Sequence, residues 1–483
     1  MNARPCFGTQ LLLSVAAFAL GCGGTMNTGT AKRPVNNKPA DGGTCPSERS
    51  LCGIGAFAIC ADLQSDSNHC GACDRACSPG IACQAGVCQQ TVCTGTTIPF
   101  SGQPTTSASN SANTMTPLAQ ELLTDVNGDG RLDLVQWTLP FLDSASDQKA
   151  FRVSLGQPGG GFAAPDTYHT SADVMQVFAT DVNDDGSNDL YVFAEAYDSH
   201  AVMDAYRLEL WLGHPDGHLT RSDAVGMSGT TISDAMAVGD LSGDGWPDLV
   251  MDVPETNSDD PGSINVYLSD STGALHLTGT YLMGWGSGVE AVIRDWNGDG
   301  SPDLMVLGDS VQIFYNRGDG TFDQPVDCGL AFNIGMGEDA LVADFNRDGK
   351  PDLAQQYSNG RVGVMLGLGE CGFSPISFYA VGGNGPLGFL RVADMNGDGV
   401  LDIVNVAPVS GPDPNGLASS VQDHLLSVLL GKGDGTFLPA GTPVSLGLDV
   451  SDVAVGEVSG DQRPDIVIQS SDGQTRTWEN ACQ

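Results

Sequence analysis

Basic residues are scarce in this chain of 483 residues, which has 20 Lys and Arg against 59 Asp and Glu and a formal net charge of −39. Proteins that bind DNA or RNA through phosphate contacts need a basic surface, so the composition excludes that class. The same shortage argues against docking on an anionic membrane through Lys and Arg. Charged residues of both signs make up only 16% of the chain, below the roughly 25% of ordinary globular domains.

Long hydrophobic runs are missing as well. The apolar run at residues 11–20 (LLLSVAAFAL) is too short to cross a bilayer as a helix. It follows Arg4 and leads into Gly21 and Cys22, an arrangement that resembles the lipobox of bacterial lipoproteins. The resemblance implies a signal peptide over residues 1–21, a lipid on Cys22 and an outer-membrane lipoprotein facing the periplasm or the cell surface. An ordinary secretory signal cut nearby is the alternative.

Two segments of contrasting composition follow the signal. Residues 22–44 are polar and aperiodic, which predicts a disordered tether. Residues 45–93 hold nine cysteines, a density that in an exported protein is typical of a disulfide module without a large core. The stretch from Cys60 to Cys88 resembles the short cysteine-rich repeats of secreted bacterial surface proteins. The pairing of the eight cysteines between residues 45 and 88 stays open.

Two alternatives to structural disulfides remain in this module. Cys70 and Cys73 have the spacing of a redox motif, although no βαβ pattern surrounds them. His69 lies next to Cys70, which makes zinc binding the second alternative.

Glycine is abundant, at 64 residues, and it occurs in every copy of one Asp-rich phrase that is found seven times. The copies begin 49 to 63 residues apart. That interval is the length of one propeller blade, which is four strands joined by turns. The copies are DVNGDGRLDLV from Asp125, DVNDDGSNDLY from Asp181, DLSGDGWPDLV from Asp240, DWNGDGSPDLM from Asp295, DFNRDGKPDLA from Asp344, DMNGDGVLDIV from Asp394 and EVSGDQRPDIV from Glu457.

The surroundings of each copy predict the same four strands. An apolar run such as VMQVFAT precedes the phrase, and a β-rich run such as LYVF follows it. A third run ends in a Gly turn, as in VLLGKGDGTF, and an outer strand comes next. This pattern resembles the FG-GAP (VCBS-type) repeats of the integrin α-subunit propeller. We therefore expect an all-β protein with a seven-bladed β-propeller over residues 94–483, preceded by the small disulfide-rich module.

The acidic loop between the first two strands of each blade carries ligands for a hard cation. Oxygens occupy positions 1, 3, 5 and 9 together with the position 7 carbonyl, and Gly at position 6 permits the turn around the ion. An EF-hand is excluded because position 12 lacks the bidentate Glu and the flanks are strands. Oxygen-only ligands favour calcium over zinc or copper. Turn formation alone leaves the recurrence of Asp at position 9, beside an apolar strand, without a reason.

We predict about six calcium ions, one in each intact loop. Ser242 at position 3 is expected to weaken the third loop, and Glu457, Ser459 and Gln462 to leave the seventh empty or feeble. The predicted ligands are Asp125, Asn127, Asp129, Arg131 and Asp133; Asp181, Asn183, Asp185, Ser187 and Asp189; Asp240, Ser242, Asp244, Trp246 and Asp248; Asp295, Asn297, Asp299, Ser301 and Asp303; Asp344, Asn346, Asp348, Lys350 and Asp352; and Asp394, Asn396, Asp398, Val400 and Asp402.

The seventh copy has three strands and needs a fourth from elsewhere. The segment Thr96–Phe100, just before the first blade, is the expected donor, pairing beside Thr475–Glu479. That pairing would put Cys93 within disulfide reach of Cys482, with their Cα atoms less than about 7 Å apart.

Two further cysteines, Cys328 and Cys371, have no assigned partner. Their even number favours a disulfide bond. Their expected positions oppose it, because Cys328 falls late in the outer strand of the fourth blade and Cys371 in a turn at the opposite end of the fifth. The pairing therefore stays open.

Function is expected on the face opposite the acidic loops. The loops between the second and third strands lie there and are long around residues 140–149, 196–205, 254–262 and 409–423, and loops of varied length on a rigid scaffold often carry binding sites. The integrin resemblance also implies a ligand face opposite the calcium loops. We expect a protein or glycan ligand there. Candidate contact residues are Phe141, Tyr197, His200, Trp285, Asp259 and Asp260.

Catalytic motifs of the HExxH, GxSxG and Walker types do not occur in the sequence. The main hypothesis is therefore a non-catalytic, calcium-stabilised binding or adhesion protein of the cell surface. A polysaccharide-active enzyme on the same propeller is the alternative, and paired acids converging in a central pocket would favour it. Arg317-Gly318-Asp319 spells an adhesion tripeptide, but copy six has Lys-Gly-Asp at the equivalent turn, which favours plain turn chemistry.

Overall fold

A computed structural model describes most of the repeat region and short pieces of the segment before it. The described residues are 50–52, 59–61, 63–64, 81, 83–88, 98–100, 105–106, 119–138, 149–196, 205–222, 229–230, 236–253, 262–270, 273–283, 288–308, 310–329, 340–385, 388–411 and 420–481. Across these ranges the chain forms strands and turns and contains no helix. None of the described residues therefore lies in a helix long and apolar enough to cross a membrane.

The repeat region forms a seven-bladed β-propeller, and each blade contains an antiparallel path of four strands, A to D, as the sequence predicts. The A strands are Ala119–Thr124, Asp173–Thr180, Met236–Gly239, Gly288–Arg294, Ala340–Ala343, Phe389–Ala393 and Val450–Gly456. The B strands are Asp133–Thr138, Asp189–Ala196, Asp248–Val253, Asp303–Gly308, Asp352–Tyr357, Asp402–Gly411 and Asp465–Ser470. The C strands are Ala150–Ser154, Ala205–Gly213, Ser263–Ser269, Val311–Phe314, Arg361–Met365, Ser420–Gly431 and Thr475–Trp478. The D strands are Asp166–His169, Leu219–Ser222, Leu275–Leu282, Val326–Asp327, Ser377–Ala380, Phe437–Pro439 and Thr105–Thr106.

Short strand pairs lie outside this plan. Gly229–Thr230 and Val444–Ser445 add to the outer side of strand C in blades 2 and 6, and Gly367–Gly369 forms a small hairpin with Gly372–Phe373. Near the N-terminus, Ser50–Cys52 pairs with Ile59–Ala61, and Cys83–Gln84 pairs with Val87–Cys88.

Each B strand begins at the Asp of position 9 and continues with Leu or Ile at position 10. These position 10 side chains are at most 1% exposed, so they lie inside the stack of blades. Burying one such side chain contributes about 2 kcal/mol. The recurring Asp-Leu or Asp-Ile pair therefore marks the start of the central strand in each blade.

The apolar core divides into one main cluster at each of the seven junctions between neighbouring blades. The cluster between blades 6 and 7 contains 15 buried residues. Among the described residues, the cluster between blades 7 and 1 contains four buried residues: Leu134, Ala454, Val458 and Val467. The junction where the ring closes therefore depends more on polar contacts than the others do.

The ring closes through the chain before blade 1, as predicted, but the pairing residues differ from the prediction. Thr105–Thr106 is strand D of blade 7, and it pairs with Arg476 and Thr477. Phe100, the end of the predicted donor, makes an isolated bridge to Asn480, and Pro99 O accepts the N–H of Ala481 at 2.8 Å. The predicted segment also contributes Ile98, which is 6% exposed and packs into the core between blades 6 and 7.

Cys328 and Cys371 form a disulfide bond, with 4.9 Å between their Cα atoms. The sequence argument from opposite blade ends is therefore wrong. The turn of blade 5 is the small hairpin described above, and it leans onto blade 4, where Glu370 N–H donates to Trp296 O at 3.2 Å. Strand D of blade 4 is only two residues long, so Cys328 lies within reach of this hairpin.

Several predictions for the chain termini fall outside the described residues. These are the signal peptide, the tether, lipidation of Cys22 and the Cys93–Cys482 bond. Cys83 and Cys88 are described, face each other in a two-stranded pair, and are both disulfide-bonded.

Candidate functional site

The seven acidic loops, called loops 1 to 7 after their blades, join strand A to strand B at one end of the propeller. Their backbones share one shape, because position 6 has a positive φ in every loop. Gly fills position 6 in loops 1 to 6, with φ from 80° to 95°. In loop 7 Gln462 takes this conformation at 66°, which costs a residue with a Cβ about 1–2 kcal/mol. Loop 7 therefore keeps the fold of a cation loop although its sequence departs from the pattern.

The carboxylate at position 1 organises each loop from within. In loop 1, Asp125 accepts N–H bonds from Asp129 at 3.2 Å and Gly130 at 2.7 Å. Asn127 Oδ1 accepts the N–H of Asp129 at 3.0 Å. Loops 2, 5 and 6 repeat all three bonds. The predicted oxygen ligands at positions 1, 3 and 5 therefore lie together on one small turn.

The Asp at position 9 has a structural role that the sequence argument missed. Asp133 Oδ2 accepts the N–H of Val126 at 2.9 Å, and its Oδ1 accepts the N–H of Gly156 at 2.8 Å. The other six blades make the same two bonds, including blade 7 through Asp465. All seven side chains are fully buried. Asp at position 9 thus joins the loop to the end of strand C whether or not a cation binds.

In blades 2 and 4 the residue that donates the second of these bonds also packs against the acidic loop of the preceding blade. In blade 2 it is Gly213, where a Cβ would lie 2.4 Å from Val126 O in loop 1, so a side chain does not fit. In blade 4 it is Asn316, whose Nδ2 donates to Pro302 O and to Leu241 O in loop 3, both at 2.8 Å. The acidic loops are therefore part of the blade junctions.

The electrostatics of the loops favour a bound cation. Burial raises the pKa of the position 9 carboxyl groups. The backbone N–H bonds lower this pKa and the neighbouring loop carboxylates raise it, but burial has the largest effect. The pKa is raised to about 7 for Asp133, Asp189, Asp248 and Asp303, to about 6 for Asp352 and Asp465, and to about 8 for Asp402. Burial also raises the pKa of the position 1 groups Asp125, Asp181, Asp240 and Asp394. A cation in the loop would offset this penalty on the charged forms.

The donor set fits calcium, because it consists of carboxylate, amide, hydroxyl and carbonyl oxygens. Ser242 Oγ and Ser459 Oγ, at position 3 of loops 3 and 7, are both buried without a hydrogen-bond partner, so this feature does not distinguish an intact loop from the seventh. Among the described residues, no three His, Cys, Asp or Glu side chains converge as a metal cluster. The carboxylates at position 9 accept backbone N–H bonds and do not join such a cluster. Calcium binding by these loops therefore remains a prediction.

Loop 7 shares the backbone but holds a different set of contacts. Glu457 Oε1 accepts the N–H of Gly460 at 2.6 Å, in the place of the usual Asp. Arg463 at position 7 forms an ion pair with Asp461 at position 5. Loop 1 has the same ion pair between Arg131 and Asp129, and weak cation binding by loop 7 stays a prediction.

The opposite end of the propeller carries the B–C turns. The candidate residues Phe141, Tyr197, His200, Trp285, Asp259 and Asp260 all fall outside the described residues. Blade 6 shows most of its B–C hairpin, because strand B extends to Gly411 and strand C begins at Ser420. These strands have 10 and 12 residues, against six and four in blade 4.

The blade 6 hairpin is held from both sides by residues that the sequence analysis did not single out. On the blade 5 side, Asn384 Oδ1 accepts the N–H of Ser410 at 2.8 Å, and Asn384 Nδ2 donates to Ser410 O at 3.2 Å. On the blade 7 side, Asp423 accepts the N–H of Gly447 at 2.8 Å. A lone Asn in a Gly-rich connection gives no sequence signal, because its partner lies 26 residues away.

One pair of acids does meet near the axis, in the inner strands. Glu121 N–H donates to Asp452 Oδ2 at 2.8 Å, and Asp452 forms an ion pair with Arg391. Glu121 and Asp452 are 3% and 0% exposed, so no substrate reaches them in this conformation. The pair therefore does not form the open acidic pocket that would favour an enzyme.

The Arg317-Gly318-Asp319 tripeptide lies in the C–D turn of blade 4, and its charged ends are engaged within that turn. Arg317 Nε donates to Asp323 at 2.9 Å. Asp319 accepts the N–H of Thr321 at 3.0 Å and its hydroxyl at 2.6 Å. These contacts agree with the expectation of turn chemistry.

Residues 295–355 and 344–404 each match the model of the FG-GAP-like repeat family. The matched residues run from loop 4 into strand B of blade 6, and the chain therefore contains FG-GAP-like repeats, as predicted. No curated protein sequence matches the chain.

Several solved structures match the chain with low sequence identity and low TM-scores. The chain is similar to BBS1N in complex with ARL6DN, with a TM-score of 0.38, 9% identity and coverage of 79% of this chain and 98% of that one. The match to the Pseudomonas aeruginosa periplasmic gluconolactonase has a TM-score of 0.39 and 14% identity, and it covers 75% of this chain and 97% of that one. The match to the Bacillus licheniformis rhamnogalacturonan lyase has a TM-score of 0.39 and 12% identity, and it covers 80% of this chain and 75% of that one.

Proposed function

We propose that this chain, built on FG-GAP-like repeats, is a non-catalytic, calcium-stabilised binding or adhesion propeller of the cell surface. Its ligand, a protein or a glycan, binds the face opposite the acidic loops. A lipid on Cys22 anchors the protein in the outer membrane, and residues 22–44 tether the ring to it. The braced B–C hairpin of blade 6 is the observation that carries this proposal.

The hairpin supports a binding role because it projects beyond its neighbours and is nevertheless held in place. An unsupported hairpin has to become ordered when a ligand binds, and this ordering reduces the binding free energy. A hairpin that is already held in place avoids that cost. Asn384, in the connection from blade 5, and Gly447, in the connection to blade 7, supply the support through Ser410 and Asp423 of the hairpin. His424, 2% exposed, adds a third contact, because its Nδ1 accepts the N–H of Val450 at 3.3 Å.

Calcium has a supporting role in this proposal. The acidic loops lie at the far end of the same strands and contact the neighbouring blades, as the bond from Asn316 to Leu241 O shows. Cations in the loops would therefore stabilise the ring that carries the hairpin. When bound, calcium supplies positive charge to carboxylates whose pKa is raised by burial.

The test is a graft at the tip of the hairpin. Replacing residues 412–419 with the Ser-Asp-Gly turn of blade 7 keeps Ser410 and Asp423, and so leaves both braces in place. We expect a melting temperature within a few degrees of the native one, and a large loss of binding on a glycan array and in pull-downs with cell-surface proteins.

A wider graft over residues 409–423 is the companion variant. It also removes the contacts to Asn384 and Gly447, so we expect it to lower the melting temperature as well. The proposal is wrong if ligand binding survives the narrow graft and also survives shortening of residues 140–148, 197–204 and 254–261.

A further inference from the structure

The second oxygen of the position 5 carboxylate has different partners in different loops. In loops 4, 5 and 6 it accepts an N–H from the neutral Asn at position 3. The distances are 2.9 Å from Asn297 to Asp299, 3.2 Å from Asn346 to Asp348 and 3.1 Å from Asn396 to Asp398. A neutral amide adds no charge to the loop, so these carboxylates keep their full attraction for a cation.

In loops 1 and 7 a guanidinium group takes that place. Arg131 at position 7 forms an ion pair with Asp129, and its Nε donates to Gly156 O at 3.1 Å. Arg463 at the same position of loop 7 donates from Nε to Asp461 Oδ2 at 2.9 Å. Each arginine therefore puts a positive charge on the position 5 carboxylate, which in loop 1 is the predicted calcium ligand Asp129.

The remaining loops have no such charge at that point. Position 7 is Ser, Trp, Ser and Val in loops 2, 3, 4 and 6. Loop 5 has Lys350, whose Nζ donates instead to Leu368 O at 3.0 Å, in the blade 5 hairpin. Arg347 at position 4 of loop 5 donates to a backbone oxygen, Gly399 O of loop 6, and not to a position 5 carboxylate. Among the described loops, those with a guanidinium on the position 5 carboxylate therefore belong to blades 1 and 7, which flank the ring closure.

Blade 1 also contacts loop 7 directly, through the turn between its strands C and D. Gly161 N–H of blade 1 donates to Val458 O of loop 7 at 2.8 Å. A Cβ on Gly160 would lie 2.3 Å from Ser459 O, so the turn of blade 1 is packed tightly on loop 7. The apolar cluster at this junction is the smallest of the seven.

We propose that Arg131 and Arg463 are built-in counter-ions that lower the calcium affinity of loops 1 and 7 and keep the ring closure independent of calcium. The inference rests on the proposed calcium function, because it ranks the sites within it. Loop 1 is then the weakest of the six intact loops, although Asp125, Asn127, Asp129 and Asp133 match the ligand pattern in full. Calcium would act mainly on blades 2 to 6.

Equilibrium dialysis of the full chain against graded calcium tests this ranking. Arg131→Ser introduces the residue that loops 2 and 4 have at this position. A guanidinium beside a dication weakens binding by a roughly five- to thirty-fold factor at about 4 Å in water. We therefore expect the weakest class of sites to tighten by that factor in Arg131→Ser, and the gain to disappear in the double variant Arg131→Ser/Asp125→Ala.

Arg317→Ser is the charge-matched control, because Arg317 pairs with Asp323 in the C–D turn of blade 4 and not with an acidic loop. We expect its isotherm to overlay the native one. Identical isotherms for native protein and Arg131→Ser, with calcium bound by both, would overturn the counter-ion role and leave the calcium function standing. No calcium uptake by any variant would overturn both.

Discussion

Arg391 and Asp452 form a buried ion pair across the junction of blades 6 and 7, with 3.0 Å between Arg391 Nη2 and Asp452 Oδ1. Their side chains are 4% and 0% exposed. Asp452 also accepts the N–H of Glu121 at 2.8 Å, so one carboxylate joins the inner strands of blades 6, 7 and 1. The ring is therefore closed on its inner side by charges, in addition to strand D of blade 7.

Replacing Arg391 with Met removes the cation and leaves Asp452 buried. Breaking a buried pair in this way costs about 3–5 kcal/mol, so we expect the free energy of unfolding in urea to fall by that amount. Arg361→Met is the matched control, because Arg361 is exposed and lies over the Phe378 ring at 5.8 Å. Its loss is expected to be about 1 kcal/mol or less. Equal losses in both variants would contradict the role of the pair.

Glu121→Gln is expected to stabilise the protein, and increasingly so as pH rises. Burial, and then the nearby Asp452, raise the pKa of Glu121 well above its usual value, against the effect of Arg391. A carboxyl with a raised folded pKa contributes its full stability below the unfolded pKa near 4.5 and loses it as pH rises toward the folded value. Gln carries no proton to lose.

Urea unfolding of native protein and Glu121→Gln between pH 4 and pH 8 measures this effect. We expect the two curves to converge at the acid end and the variant to be ahead by at least about 1 kcal/mol at pH 8, the value of one pKa unit. A constant difference across the range would show that Glu121 does not gain a proton on folding.

Ala substitutions at Gly160 and Gly161 distinguish the cost of backbone strain from the cost of a steric clash at the ring closure. Both have a positive φ, 84° and 73°, so Ala at either position carries a similar strain. A Cβ on Gly160 would lie 2.3 Å from Ser459 O. A Cβ on Gly161 would have no other atom within 4 Å. We expect Gly160→Ala to lose about 1–3 kcal/mol more than Gly161→Ala in urea unfolding. Equal losses would show that the turn of blade 1 does not rest on loop 7.

Asp299→Ala in loop 4 is expected to destabilise the protein more than Asp461→Ala in loop 7 when calcium is present. Asp299 Oδ2 is bonded to a neutral amide and remains available to a cation, whereas Asp461 is neutralised by Arg463. Thermal melts in millimolar calcium and in EDTA measure the difference. We expect the gap between the two variants to narrow in EDTA, and a gap of the same size in both conditions would contradict the metal explanation.

The number and order of the blades were predictable because a repeated phrase fixes where each strand A ends and strand B begins. The ends of the chain were harder. Thr96–Phe100 and Thr105–Thr106 are both short and rich in Thr, so the pattern did not identify which of them pairs with Arg476. The Cys328–Cys371 bond stayed open because the pattern did not predict the three-residue strand Gly367–Gly369, which forms a hairpin that reaches the neighbouring blade.

At the acidic loops, the sequence predicted the residues but not all of their roles. Asp at position 9 was explained by metal binding alone, yet both of its oxygens accept backbone N–H bonds, as Asp133 shows. Arg131 turns toward Asp129 within its loop, whereas Lys350 at the same position of loop 5 turns toward Leu368 O. A positive charge at position 7 therefore does not by itself predict an ion pair with position 5. Such contacts are fixed by the fold of the neighbouring turn.

The central claim is that calcium in the acidic loops stabilises the propeller, and thermal unfolding against calcium concentration tests it most directly. A site with a Kd of about 10⁻⁴–10⁻³ M contributes about 0.4–1.4 kcal/mol at roughly millimolar calcium. Five such loops contribute about 2–7 kcal/mol, a large share of a typical stability of about 5–15 kcal/mol. We predict that EDTA lowers the melting temperature by several degrees or more, that calcium restores it, and that magnesium restores little. Melting curves that coincide in EDTA and in calcium would contradict the claim and leave only Asp-rich turns.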